Sequence, residues 1–405
     1  MKYQKILDYI YEDFMSVKYK IKEKDDSQIR NPYLLVNLMH KIGIIPESKK
    51  IIKVTGSKGK GTTARICENM IRASLPNAKV AMLISPEEIY HNDRMRVNNI
   101  PITTPEFEKV FLQLKPELDE LKKSFGELDY LSPSGLFVLI AFYWWKNQDI
   151  DYFILETGRG AKYDEVGVIP AFISIVTSIL LEHTKQLGTN CEKIAEHKLF
   201  VCDNSDYCVL GETVLPYYKD YKAQKINSNT RIQIKSFPKW YESNCELALP
   251  AVAKLLNKST QEIKNVFDNF NNKNSASFGY TATKKHNYYF ESAISFESLD
   301  IDLIQSLSKQ KTLFLLSLPD DKDINNIVQK LNKYGDVKHI VLSGTRGYLN
   351  YDITQQKYSN QIIWKGQYND KEDFKTTIKN LDYINIYFIG TQTYTRLVKQ
   401  SFFGY

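Results

Sequence analysis

The residues best placed to do chemistry lie in one short stretch, Val54-Thr55-Gly56-Ser57-Lys58-Gly59-Lys60-Gly61-Thr62-Thr63. It joins a β-rich run to a helical pattern, which is where a phosphate loop must sit. Glycines let the backbone curl so that several N–H groups face one anion, and the following helix adds the positive end of its dipole. In this arrangement Gly56, Ser57, Lys58, Gly59 and Gly61 form a cradle. Lys60 reaches the β- and γ-phosphates of a nucleoside triphosphate, and the Thr62 hydroxyl takes a magnesium ion. Gly61 intervenes between Lys60 and Thr62, so the match to GxxxxGK[ST] is not literal. A plain glycine-rich turn beside a lysine is the alternative.

The elements that must hold this loop follow from the apolar pattern. IIKVT (51–55) is followed by helical spacing over Thr62–Ala73, then KVAMLI (79–84), helices over Pro105–Lys123 and Pro133–Lys146, and YFILE (152–156). FISIVT (172–177) and YCVL (207–210) continue the series. Short apolar runs separated by helices predict a parallel sheet covered on both faces. A helix over Asn244–Leu256 closes this half. The polar stretch NFNNKNSASFGY (269–280) reads as a domain boundary. Beyond it YYFE (288–291), TLFLLSL (312–318), VKHIVL (337–342) and INIYFI (384–389) restart the alternation. The expectation is an α/β protein: a parallel-sheet ATPase domain over residues 1–273 and a smaller Rossmann-like α/β domain over 281–405.

Bulk properties narrow the class. The 405 residues are 43% hydrophobic and 25% charged, as in ordinary globular proteins, and the net charge of +7 is spread along the chain. That favours anionic small molecules, and no basic stripe interleaved with aromatics points to nucleic acid. Cys67, Cys191, Cys202, Cys208 and Cys245 form no metal-ligand spacing and read as reduced thiols. The N-terminus has no signal-peptide core, and the longest apolar runs are too short for membrane helices. A cytoplasmic protein without membrane contact is expected.

Taken with its neighbours, the GSKGKGTT loop resembles the GTNGKGS loop of folylpolyglutamate synthases, within the Mur ligase superfamily. Ile84-Ser85-Pro86 and Asn92-Asp93-Arg94-Met95-Arg96-Val97 resemble that family's SPH…NERIRI segment. The stretch Leu155-Glu156-Thr157-Gly158-Arg159-Gly160-Ala161-Lys162-Tyr163-Asp164 is similar to LEVGLGGRLD. Thr177-Ser178-Ile179-Leu180-Leu181-Glu182-His183-Thr184, with Ile194-Ala195-Glu196-His197-Lys198, is similar to TSIGLDHT…IAREK. The resemblance implies an ATP-dependent ligase that forms an amide through an acyl phosphate, with two magnesium sites, acting as a monomer.

It also implies roles. Thr62, Ser85 and Glu156 would hold the first metal and His183 the second. Lys198 matches a lysine carried as a carbamate, and Asn244 an asparagine beside the adenine. Lys60, His183 and Lys198 are the expected catalytic residues. Each has a plainer reading: Ser85 and Asn244 as helix caps, Glu156 as a capping or surface carboxylate, His183 as a structural hydrogen-bonding group, Lys198 as a solvated helix lysine.

The match breaks on the acceptor side and in the second domain. The family's Gly-Arg pair after the linker is Ser275-Ala276-Ser277-Phe278 here, without arginine. The DGAHNP segment becomes Glu291-Ser292-Ala293-Ile294-Ser295-Phe296; Glu291 stands in for the aspartate beside the nucleotide, and Ile294 replaces a histidine. Asp321-Lys322-Asp323 resembles the family's DKD. The TYFE segment is Ser132-Pro133-Ser134-Gly135, and the SPH histidine is Glu87. Because the ATP half is retained and the acceptor half rewritten, the expectation is a ligase joining an amino acid or amine to a non-folate carboxylate. The alternatives are a folylpolyglutamate or dihydrofolate synthase, and a nucleotide-binding protein of the ligase fold that has lost catalysis.

Overall fold

The computed structural model describes residues 2–403 apart from 22–23, 88–89, 128, 228–229, 235–236, 270–277, 294, 321 and 344–350. Ser275, Ala276, Ser277, Ile294 and Asp321, on which part of the sequence comparison rests, lie outside the described residues. The chain forms two compact units, Met1–Ile232 with Ser243–Asn272, and Gln233–Glu242 with Lys273–Tyr405. The expected boundary near residues 269–280 is thus accompanied by an excursion: ten residues before Ser243 join the second unit.

The first unit is built on β1 (Ile51–Thr55), β2 (Val80–Leu83), β3 (Met95–Val97), β4 (Ile100–Pro101), β5 (Tyr152–Glu156), β6 (Ala171–Val176), β7 (Ser205–Leu210) and β8 (Gln224–Lys225). Their order is β4-β3-β2-β5-β1-β6-β7-β8. The six strands from β2 to β8 run parallel, but β3 pairs antiparallel with both β2 and β4. The sheet is therefore mixed, not wholly parallel. The short β3–β4 hairpin has too few residues to announce itself by periodicity, whereas β1, fully buried on both faces, was plain from its continuous apolar run.

Helix Pro133–Trp145 is apolar around almost its whole circumference because it is buried on all sides, against helices Tyr3–Ile21, Tyr33–Lys41 and Thr104–Lys122. Its N-terminus is closed by Ser132, whose hydroxyl accepts from Gly135 N–H at 2.9 Å. Helix Lys60–Ser74 packs on β1, β2 and β5 and is covered by helix Thr260–Asp268. Among the described residues no helix is long and apolar enough to cross a membrane.

The second unit carries β9 (Phe278–Ala282), β10 (Asn287–Glu291), β11 (Thr312–Ser317), β12 (Asp336–Ser343), β13 (Ile362–Gln367) and β14 (Asn385–Gly390) in the order β13-β12-β11-β14-β10-β9. Only β9 is antiparallel. Two apolar clusters, one on each face, bury the sheet: Phe314, Leu316, Tyr387 and Ile389 point to one, Leu313, Leu315, Ile386 and Phe388 to the other. This alternation is the period-two pattern of a doubly covered sheet.

Candidate active site

The order β5-β1-β6 places the phosphate-loop strand at the centre of the first sheet. Val54 pairs with Glu156 and Thr55 with Val176, so the segments leaving β5, β1 and β6 emerge side by side at the carboxyl edge. That edge is where open α/β sheets bind ligands.

The loop is shaped by its glycines. Gly56 has φ +140° and Gly59 φ +85°. A Cβ on Gly56 would fall 2.0 Å from Thr177 Oγ1, and one on Gly59 2.5 Å from Asn244 Oδ1, so neither position admits a side chain without displacing its neighbour. The loop is also clamped to the turn after β6. Ser57 N–H donates to Ser178 O at 2.8 Å, Lys58 N–H to Ser178 Oγ at 2.9 Å, and Thr177 Oγ1 to Lys58 O at 2.6 Å. Ser57 and Lys58 therefore shape the cradle with their N–H groups turned to the protein. The first intrahelical bond, Thr63 N–H to Gly59 O at 2.8 Å, leaves the amides of Lys60, Gly61 and Thr62 as the helix-terminal donors for an anion.

Two ammonium groups converge on one carbonyl. Lys60 Nζ donates to Gly56 O at 2.9 Å and Lys198 Nζ to the same oxygen at 3.0 Å. Lys198, from helix Cys191–Leu199, is 1% exposed and ion-paired with Glu182 at 2.9 Å. Burial, reinforced by Lys60 and opposed by Glu182, lowers its pKa to about 8. It is a buried, paired amine and not the solvated lysine that was the plainer reading.

Glu156 ends β5 and is buried; Ser85 N–H donates to its Oε2 at 2.9 Å. Burial raises its pKa to about 7, against the pull of Lys60 and the Ser85 amide. Ser85 therefore meets Glu156 through its backbone. The Glu156 carboxylate also lies 3.2 Å from where a Cβ on Gly61 would stand, immediately beside the helix start. Among the described residues no three His, Cys, Asp or Glu side chains gather around one point. The set drawn from the sequence holds one carboxylate and the hydroxyls of Thr62 and Ser85, hard oxygen donors that suit a magnesium ion keeping most of its waters.

His183 is the N-cap of helix Thr184–Leu187 in the left-handed region, φ +46°, and is exposed. Partial desolvation lowers its pKa; Glu182 acts the other way, and Arg159, Lys198 and Lys60 lower it further. A neutral imidazole is the form that ligates metal.

Asn244 does not begin its helix, as the apolar pattern suggested, but lies in the second turn of Lys239–Leu256. Its Oδ1 accepts from Thr63 Oγ1 at 3.0 Å, which brings this side chain to the loop. Glu291 belongs to the second unit, at the end of β10. Its Oε1 accepts from Trp240 Nε1 at 3.1 Å and its Oε2 from the Tyr387 hydroxyl, and burial raises its pKa to about 7. The first unit thus brings together Gly56–Thr62, Ser85, Glu156, His183, Lys198 and Asn244, whereas Glu291 is engaged by donors of its own unit.

The structure adds contacts that no motif revealed. Glu87 is buried and bonded to Arg94 Nε at 3.1 Å and Nη2 at 2.7 Å. Desolvation opposes its ionisation, but His91 and Arg94 prevail and hold it well below the usual carboxylate range. Ser132 Oγ donates to Glu165 Oε1 at 2.6 Å, and that carboxylate fills the space beside Gly135. Glu165, 33 residues from Ser132, thus places a carboxylate at the N-terminus of helix Pro133–Trp145. Arg30 lies 3.3 Å from Glu165 and 3.5 Å from Asp164, and Arg159 pairs side-on with Asp26.

A two-domain protein with a phosphate loop at the centre of one sheet and a second α/β unit has the architecture of folylpolyglutamate synthases of known structure. Solved structures share it over nine tenths or more of the chain. They include a complex of FPGS with AMPPCP (TM-score 0.74, 16% identity, 100% of both chains) and folylpolyglutamate synthase from Thermotoga maritima (0.72, 16%, 98% of this chain and 96% of that one). The bifunctional folylpolyglutamate synthase/dihydrofolate synthase from Yersinia pestis, complexed with AMPPNP and Mn ion, also matches (0.67, 18%, 91% and 92%). At these identities the likeness shows the fold alone.

Sequence comparison adds relatives over part of the chain. Dihydrofolate synthase/folylpolyglutamate synthase of Escherichia coli K12 is 27% identical over 176 residues, 44% of this chain and 39% of that protein. The Buchnera aphidicola (Acyrthosiphon pisum) enzyme of the same name is 31% identical over 196 residues, 48% and 45%. The matched regions span less than half of each relative's length. No family model matches the chain. The chain is thus similar to dihydrofolate and folylpolyglutamate synthases, in sequence over a little under half its length and in fold throughout.

Proposed function

We propose that the protein is an ATP-dependent carboxylate–amine ligase working through an acyl phosphate. The observation that carries this reading is the meeting of Lys60, Lys198 and Glu156 around the loop Gly56–Thr62. The named relatives favour a folate as the carboxylate and glutamate as the amine, so a folate acceptor takes precedence over the non-folate one expected from the sequence.

In this mechanism the acceptor carboxylate attacks the γ-phosphorus of ATP and ADP departs. The amino group of the incoming amino acid then attacks the acyl carbon, and phosphate leaves. The protein's work is alignment and charge neutralisation. The amides of Lys60, Gly61 and Thr62 and the Lys60 ammonium grip the phosphates, and Lys60 exchanges Gly56 O for phosphate oxygen. Thr62, Ser85 and Glu156 would hold one magnesium ion and His183 a second; magnesium would screen the phosphate charge. Glu156 would meet that ion as a carboxylate, its ionised form. Asn244, against Gly59 and Thr63, stands where the nucleotide leaves the loop. With its pKa near 8, Lys198 has a neutral fraction that carbon dioxide could cap as a carbamate, provided Glu182 moves away; bicarbonate dependence of turnover tests this.

A non-folate acceptor remains the second reading, because Glu87 is locked to Arg94 and the Ser132–Gly135 turn is filled by Glu165. Magnesium-dependent ADP and phosphate release, over folates and other carboxylates each with a set of amino acids, decides between them. Release that needs both substrates and is lost in Lys60→Ala is expected. Nucleotide binding without release on any pair would favour the non-catalytic reading.

A further inference from the structure

We propose that Arg159 is the anchor for a carboxylate group of the acceptor substrate, an inference that rests on the ligase reading above. Arg159 stands three residues beyond Glu156 in the turn leaving β5, between Gly158 and Gly160. That turn crosses the end of β1, where Thr55 Oγ1 donates to Gly160 O at 3.4 Å. It then runs along the helices that carry His183 and Lys198. A Cβ on Gly160 would lie 3.0 Å from Leu187, and Lys162 N–H donates to His197 O at 3.1 Å. Arg159 is close enough to His183 for its charge to be felt there beside those of Lys60 and Lys198.

The three cations differ in what they can still bind. Lys60 is the phosphate lysine of the loop. Lys198 is buried and held by Glu182 and Gly56 O. Arg159 keeps 33% of its side chain exposed. Its partner Asp26, 1% exposed, accepts from Nε at 3.1 Å and from Nη2. This side-on pairing fixes the plane of the guanidinium and uses two of its five N–H donors. The end-on edge, Nη1 with the second Nη2 hydrogen, has the spacing for another carboxylate. Arg30 Nη1 reaches Arg159 O at 3.4 Å and so braces the same turn from the backbone. A rigid, half-neutralised arginine beside the phosphate loop is suited to hold a substrate carboxylate without the cost of ordering a free side chain.

The test is equilibrium binding of dihydropteroate and folic acid to the full-length protein saturated with Mg-AMPPCP, with KM and kcat measured for any carboxylate that supports turnover. Arg159→Gln keeps a donor for Asp26; it is expected to weaken carboxylate binding about 10- to 100-fold while AMPPCP affinity stays within about twofold. The loss should fall on KM for the carboxylate more than on kcat. Arg159→Lys should not restore the affinity, because an ammonium cannot make the bidentate contact. Asp26→Asn, which retains the arginine but frees its plane, should give a smaller loss; it also serves if Arg159→Gln does not fold. Carboxylate affinity unchanged within about twofold in a folded Arg159→Gln overturns the proposal, as does absence of carboxylate binding to the unmodified protein. ADP release that persists in Lys60→Ala would instead sink the ligase reading, whatever Arg159→Gln does.

Discussion

Lys60 and Lys198, 138 positions apart, donate to the same carbonyl oxygen, that of Gly56, at 2.9 and 3.0 Å. Two ammonium groups this close repel, and Glu182 is the carboxylate that offsets them. An arriving phosphate would relieve the same repulsion. Glu182→Gln should therefore lower the Lys198 pKa below 8 and shift the Lys198 limb of the pH–rate profile to lower pH: the acid limb if the neutral amine is capped as a carbamate, the alkaline limb if the ammonium is needed. A pH–rate profile of the variant checks this; an unmoved limb would dissociate Lys198 from the reaction.

Gly59 and Asn244 make a second testable pair. Gly59→Ala forces a side chain to φ +85° and onto Asn244 Oδ1, and should cost about 1–3 kcal/mol. In an Asn244→Ala background the steric part disappears and only the backbone part remains. Urea denaturation of the four proteins in the cycle reads the coupling. Equal costs in both backgrounds would mean that the two side chains do not meet.

Glu291 predicts a pH dependence. Its folded pKa, about 7, exceeds the unfolded value of 4.5, so the folded state binds more protons between those limits. Stability must then fall as pH rises from 4.5 to 7 and level off above 7. The sum is on the order of 3 kcal/mol. Glu291→Gln, still able to meet Trp240 and Tyr387, should flatten that part of the curve. Thermal unfolding between pH 4.5 and 8 measures the difference, and parallel curves would refute it.

Arg30 holds two buried carboxylates, Asp164 and Glu165, whose pKa values are both raised by burial and pulled down by this arginine. Arg30→Met strips them of their cation and should destabilise by about 3–5 kcal/mol. The same loss should appear in part when Glu165→Gln is made, because Ser132 keeps its bond to that side chain. Denaturant midpoints of both variants test the ordering.

The sequence by itself determined the phosphate loop, the alternation of apolar strands and helices, and the resemblance to folylpolyglutamate synthases. Each of these is local: glycines at fixed offsets, β1 buried on both faces, Glu156 at the end of an apolar run. It also named Lys60, Glu156 and Lys198 as candidates, because the segments around them resemble the family's motifs in order. Tertiary structure decided everything that depends on contact between distant residues. No periodicity reveals that Asp26 meets Arg159, that Glu165 fills the space beside Gly135, or that Lys198 is paired with Glu182. The short β3–β4 hairpin and the antiparallel β9 were missed for a related reason, since two to five residues carry too little pattern to fix strand direction. Ser57 and Lys58 could be placed in the loop from sequence, but only the packing of β6 beside β1 turned their amides to Ser178. The side chains of the loop are a matter of local backbone geometry, whereas the charges around it are set by which strands the sheet places next to one another.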